Sequence, residues 1–598
     1  MPPRREPPQA RSPRSRYTDS ETAGDVRGRS WPATVVGVSV LTLALTVTQP
    51  ASGTSRVAGA SVASTSASVA VAALRTADPQ PVTPTVIETG VPRVPASQQK
   101  AIPSGLDLRD HGGETVADGR ERLAGHLVQS VNGAEMVGLT WTAGTAPPGL
   151  EVQVRGRGDG EWSDWTDAHA DPDEGPAAGD EGVVRDGTAP VWLGSSQRVE
   201  VAVLTGSGKL PRQLRLQAID PGTSSYDAVA AEQPAAGQTT QAKVPPGTFP
   251  ALPEIITRRQ WGADNSLNQC GIEYGNQFKA VFVHHTVGTN SYSRSESAAL
   301  VRGIHAYHTQ SRGWCDIGYN FLVDKYGQVF EGRRGGIRKP VRGAHAGDYN
   351  GDSTGISLMG NFESTNAPKR MKTALVRLIA WRVGTAYRGA YGRAVIQGEP
   401  FKRISGHRDA MSTACPGQTV YDWLPLLRER VHERLRGFST PLRRTWTARG
   451  GTKGIWGPVR IGEQGTHGGR FTAFRGGRIY AYDGGLTGLR TGEVLTRFRK
   501  SGGVSGELGY PVSIVRTQGD GKAVDFRGGS IFWSPETGAR ILRTSAILKR
   551  YRALDAAKGR LGFPRTPVVS FSWGARTRFE HGSIRFDKAT HEITVTYS

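Results

Sequence analysis

VFVHHT (residues 281–286) is an apolar, β-branched run that ends in two histidines. This is the pattern of a buried strand that delivers a side chain to a cleft. A second stretch, GHRDAMSTACPG (406–417), carries His407 and Cys415 eight residues apart. That spacing exceeds one helical turn, so a loop must fold Cys415 back towards His407. His284, His407 and Cys415 together read as the three protein ligands of one catalytic zinc, with the fourth position left for water.

Working outward, ITRRQWGAD (256–264) opens the domain and KAVFVHH supplies its first core strand. SRSESAALVRGIHAYHTQSRG (293–313) repeats its apolar residues at helical spacing, with Ser293 or Ser295 near the cap and a stop at Gly313. YNFLVDKYGQVFEGR (319–333) reads as two strands around a Lys-Tyr-Gly turn, and GISLMGNF (355–362) as another strand. KRMKTALVRLIAWRVGTAY (369–387) and VYDWLPLLRERVHERL (420–435) are two further helices. The expected assembly over 250–437 is a central α/β domain, a mixed β-sheet flanked by helices.

At 598 residues the chain is several domains long, and 37% hydrophobic content is enough to bury several cores. The net charge of +22 is unevenly spread. Residues 441–598 hold 27 Lys/Arg against 11 Asp/Glu, whereas 101–220 hold 10 against 19. The basic end suits anionic polymers, the plain alternative being a soluble surface. No nucleic-acid role is expected, because the basic residues are scattered among repeats and form no recognised binding motif. Of the three cysteines, Cys270 and Cys315 remain as a disulfide pair if Cys415 holds metal and the chain is exported. The competing reading pairs Cys415 with one of the others and leaves no metal site.

Export is expected from the N-terminus. Seven Arg against four acids in residues 1–32 precede ATVVGVSVLTLALTV (33–47). This 15-residue run is short for a membrane span of about 20 and suits a signal peptide region over 1–60, so no stable membrane span is expected. An uncleaved anchor is the alternative. Residues 61–104, rich in Ala, Ser, Thr, Val and Pro, read as a disordered linker. Alternation in EVQVRGR (151–157), RVEVAVL (198–204) and RQLRLQAI (212–219) predicts a β-sandwich-like domain over 105–221. Trp162 and Trp165 read as core residues of it, stacking on sugar rings being the alternative. A linker over 222–249 follows.

The C-terminal part is repetitive. LGYP (508–511) recurs as LGFP (561–564), and FRGGRI (474–479) as FRGGSI (526–531) and FEHGSI (579–584), with a degenerate first copy at IWGPV (455–459). Three stacked units of mixed α+β structure over 441–598 are expected to share one core.

HHT, GWCDIGYNFLVDKYGQVFEGR (313–333), GAHAGDYN (343–350), GISLMGNF and GHRDAMSTACPG, in this order, resemble the zinc-dependent N-acetylmuramoyl-L-alanine amidases of the peptidoglycan recognition protein family. The resemblance covers about 255–435 and implies that His284, His407 and Cys415 bind one Zn2+. It implies that Tyr319 is the tyrosine beside the reacting carbonyl in catalytic members. Thr413 stands where other members carry lysine or threonine, so assistance there comes through a hydroxyl. His345 and Asn350 fall in a segment that lines the substrate groove in relatives, and His285 is structural. The C-terminal units resemble LGFP repeats, which implies attachment to the cell envelope and, with the basic charge, to anionic wall polymers. The expected protein is secreted, extracellular or wall-associated, and hydrolyses peptidoglycan. A non-catalytic peptidoglycan-binding protein is the alternative, and the cysteine ligand argues against it, since members that only bind typically lack it.

Overall fold

The computed structural model describes residues 79–106, 122–170, 174–177, 179–232 and 250–598. The signal region expected over 1–60 lies outside the described residues, as do positions 233–249 of the second linker. Among the described residues no helix is long and apolar enough to cross a membrane.

Seven antiparallel strands build the N-terminal domain: β1 (Thr85–Gly90), β2 (Arg122–Thr142), β3 (Glu151–Arg157), β4 (Thr166–Asp167), β5 (Arg185–Gly187), β6 (Val191–Thr205) and β7 (Arg215–Asp220). They are hydrogen-bonded in the order β1-β7-β2-β6-β3-β4, with β5 on β2. Alternate residues of β2, β3, β6 and β7, among them Leu139, Trp141, Val154, Val201 and Leu216, fill the core. Strand β1 corrects the linker expected over 61–104. TVIETG pairs along its whole length with β7, and its Ala/Ser/Pro-rich surroundings hid the short alternation. The linker expected over 222–249 is also corrected in its first part, where Ser225–Glu232 is a helix, α1. Trp162 and Trp165 are half-buried rather than core, each stacked by the Arg155 guanidinium at 5.1 and 4.5 Å from the ring centroids.

The central domain is the expected mixed sheet flanked by helices. Its strands are β8 (Ala280–His285), β9 (Phe321–Val323), β10 (Val329–Glu331), β11 (Ser353–Leu358), a separate hairpin of β12 (Arg393–Ile396) and β13 (Glu399–Lys402), and β14 (Ile404–Gly406). The main sheet runs β10-β9-β11-β8-β14, with β9, β11, β8 and β14 parallel and β10 antiparallel at the edge. Every residue of β8 is buried, because both sheet faces are covered, which explains its continuous apolar run. Helices α3 (Lys369–Thr385) and α4 (Gln418–Leu435) cover one face through Leu375, Leu378, Leu424 and Leu427. Helix α2 (Glu296–Ala306) covers the other. Ser293 caps α2, its Oγ accepting from Glu296 N at 3.3 Å while the Glu296 carboxylate accepts from Ser293 N. The core around α2 also takes in Met136, Trp192 and Ile219 of the N-terminal domain. The Tyr307 hydroxyl, one residue beyond α2, lies 2.8 Å from the carbonyl oxygens of Leu139 and Thr188 and shares its one proton between them.

Three units follow, each a short helix and a four-stranded antiparallel sheet. The helices are α5 (Pro441–Ala448), α6 (Glu493–Lys500) and α7 (Ala546–Ala553). One joint recurs between units. Tyr510 of the second unit packs on Gly469 of the first, where an added Cβ would lie 2.5 Å from the ring. Phe563 of the third packs likewise on Gly521 of the second, at 2.3 Å. The first unit is bound to the central domain by Tyr387, whose hydroxyl donates to the buried Glu463 carboxylate at 2.6 Å.

Candidate metal centre

Parallel pairing of β8 with β14 builds the centre. Gly406 ends β14 opposite Val283, so the next residue of each strand, His407 and His284, emerges at the same end of the sheet. Their rings lie 4.4 Å apart between centroids. The loop after His407 is closed by Arg408 N donating to Cys415 O at 2.9 Å, which returns Cys415 to the strand ends. One ligand atom each from His284, His407 and Cys415 lies within 4.8 Å of the others, and all three residues are buried. Asp409 adds no fourth ligand, because its carboxylate accepts from Gly406 N at 2.9 Å and from the Tyr421 hydroxyl at 2.7 Å.

The donor set fits zinc. Two imidazoles and a thiolate are borderline-soft ligands, and three of them leave a position open. Burial, followed by the neighbouring His407, holds the His284 imidazole well below the usual histidine range, so it is neutral and its lone pair is available. The Cys415 Sγ accepts from His285 N at 3.3 Å. Thr413 Oγ1 accepts from Cys415 N at 3.1 Å and fixes the turn that presents the sulfur.

His345 lies against His284. It is fully buried, and its Nδ1 is 3.1 Å from Nε2 of His284, while Nδ1 of His284 faces Cys415 Sγ at 3.7 Å. With Nδ1 of His284 as the ligand atom, Nε2–H donates to His345, which fixes the tautomer and the ring orientation. His345→Ala is therefore expected to weaken zinc affinity by roughly 10–100-fold, measured by competition with a chromophoric chelator. Asn350 is likewise buried, its Oδ1 accepting from the backbone N–H groups of His345 and Ala346 at 2.8 and 3.0 Å. His285 accepts from Phe362 N at 3.3 Å and, by burial, titrates only at about 3.

Tyr319 is 3% exposed, its ring 5.5 Å from that of His284. Burial, then the carboxylate of Glu174, holds its hydroxyl well above the usual tyrosine range. The phenol donates to that Glu174 carboxylate, which belongs to the N-terminal domain. Sequence reasoning missed Glu174; the acidic run DPDEGPAAGDE (171–181) was the one available signal. Cys270 and Cys315 form a disulfide beside the cleft, and Cys415 is free of disulfide bonding.

His308 adds a pH dependence. It is buried, stacked on Trp314 at 4.2 Å between centroids, and accepts from Gly318 N at 3.2 Å. Burial, reinforced by Arg312, holds its imidazole well below the usual 6.5. In the unfolded chain the same group takes a proton near pH 6.5, so acidification below that value favours unfolding until the folded-state pKa is reached. His308 should contribute a stability loss of up to about 1.4 kcal/mol per pH unit in that window. Urea unfolding at successive pH values, with His308→Asn showing a shallower slope, checks this.

The family described as N-acetylmuramoyl-L-alanine amidase matches residues 274–418. The one described as Rv3811 N-terminal galactose-binding domain-like matches 93–242, and the LGFP repeat matches 508–559. Peptidoglycan-recognition protein SC2 of Drosophila melanogaster is 33% identical over 168 residues, 28% of this chain and 83% of that protein. Peptidoglycan recognition protein 1 of Mus musculus is 33% identical over 169 residues, 28% of this chain and 84% of that protein. The solved structure of wild-type Drosophila PGRP-LB is 31% identical and covers 28% of this chain and 91% of that one, with a TM-score of 0.24. With the amidase match containing His284, His407 and Cys415, and with more than four fifths of each relative covered, the chain belongs to the peptidoglycan recognition protein and N-acetylmuramoyl-L-alanine amidase family, here joined to a galactose-binding-like domain and LGFP repeats.

Proposed function

We propose that the chain is a secreted hydrolase that cleaves the amide bond between N-acetylmuramic acid and L-alanine in peptidoglycan, with one zinc ion held by His284, His407 and Cys415. The observation that carries this reading is the buried cluster of those three ligand atoms within 4.8 Å, with the Tyr319 ring beside it. Zinc, when bound, lowers the pKa of water from 15.7 to about 7 and polarises a carbonyl.

The chain's own residues do the rest. His345 orients His284, and His285 N and Thr413 hold Cys415 in place. Tyr319 stays protonated and donates to the oxygen on which negative charge develops. The basic repeats hold the molecule on anionic wall polymers.

The test incubates the zinc-loaded full chain with purified peptidoglycan and follows new L-alanine amino termini and new reducing ends separately. Amino termini alone are the expected product. Binding of zinc and peptidoglycan without either product, in the wild type and in a Gly175→Leu chain alike, would leave a recognition protein.

A further inference from the structure

The centre is closed to a polymer. His284 and His407 are 0% exposed, Tyr319 3% and Cys415 4%. What lies over it is a piece of the N-terminal domain, residues 174–177 and 179–181, seated by contacts at several points. The Glu174 carboxylate takes the Tyr319 hydroxyl proton. The Gly175 carbonyl accepts from Gly347 N at 3.2 Å and from Nδ2 of the buried Asn350 at 3.0 Å. Pro176 then runs beside Gly347 in a parallel β-bridge. Glu181 accepts from Cys315 N at 2.9 Å and pairs with Arg333, both side chains nearly buried. Asp180 pairs with Arg342.

Gly175 shows how closely the segment is seated. Its φ is +151°, and a Cβ there would lie 3.1 Å from the Trp314 ring. Only glycine brings the backbone this near the cleft wall.

Two consequences follow from this chemistry. The one proton that Tyr319 can donate is spent on Glu174 rather than on a substrate oxygen. A glycan-linked amide also cannot approach the ligand cluster until the segment leaves. We propose that residues 174–177 and 179–181 are an intramolecular cover of the ligand cluster that keeps the chain latent, released by displacement of the segment from Arg333, Arg342 and Asn350. The latency of catalysis rests on the amidase reading above; the occlusion does not.

The experiment uses the full chain, as wild type, as an Asp180→Asn/Glu181→Gln double variant that weakens the two charge pairs, and as Gly175→Leu, which expels the segment by size without altering charge. Cys415 is the one cysteine outside the disulfide, so maleimide labelling of the metal-free protein reports opening of the centre. Labelling of both variants is expected to be about tenfold faster or more, because the open fraction sets the rate, with thermal unfolding midpoints close to wild type. Release of L-alanine termini by the zinc-loaded protein should rise in parallel. Labelling that stays at the wild-type rate in both folded variants overturns the proposal. Faster labelling without product supports occlusion and sinks the amidase reading. Loss of product in Glu174→Gln with unchanged labelling would make Glu174 part of the chemistry and overturn latency.

Discussion

Cys415→Ala is expected to weaken zinc affinity by well over the roughly 100-fold that marks the upper range for loss of a supporting residue, and to abolish release of L-alanine termini. Cys415 is the one member of the cluster that would meet zinc as an anion, a thiolate; without it two imidazoles would face the cation alone. The loss extends to the scaffold, since His285 N donates to the sulfur at 3.3 Å in a buried setting and would lose that acceptor. Chelator competition measures the affinity, and product analysis on purified peptidoglycan measures the activity. Native zinc affinity in the variant would move the metal to other ligands.

Arg302→Met should remove about 3–5 kcal/mol of stability, the cost of breaking a buried, hydrogen-bonded charge pair. Arg302 lies on α2, is 1% exposed, and uses all five of its N–H donors. Nε donates to Pro221 O at 3.0 Å, Nη1 to Trp261 O at 3.0 Å and Asp227 Oδ1 at 3.1 Å, and Nη2 to Gly222 O at 2.7 Å and Asp227 Oδ2 at 2.6 Å. Three carbonyls and a largely buried carboxylate lose their partner together, at the point where the chain leaves the N-terminal sheet. Lysine is a poor replacement, because one ammonium cannot span a fork of acceptors. Urea unfolding gives the free energy, and a change within about 0.5 kcal/mol, as for an ordinary surface site, would refute the argument.

Much of the central domain was legible because its signals are local. The run VFVHH is apolar throughout since β8 is covered on both faces, and helices α3 and α4 repeat their leucines at helical spacing. The trio of His284, His407 and Cys415 was legible as a candidate from residue type alone, although the cause of its convergence, parallel register between β8 and β14, is a long-range fact. What escaped has no local mark. The short TVIETG strand sits in linker-like composition, and its evidence is its partner β7, over a hundred residues away. The contact of Glu174 with Tyr319 joins residues 145 apart, and an acidic turn in one domain does not announce the cleft of another. The contact of His345 with His284 also has no local mark, because side-chain direction at that loop depends on Asn350 gathering its backbone.

The recurring aromatic-on-glycine joint of the C-terminal units carries a consequence for how such a chain changes over time. Gly469 and Gly521 receive Tyr510 and Phe563 in the same way, so a duplicated unit arrives with both halves of its joint already matched. Gain or loss of a whole unit alters the reach of the molecule by a fixed step and asks for no compensating substitution elsewhere. The distance between the C-terminal end and the central domain is thus heritable as a count.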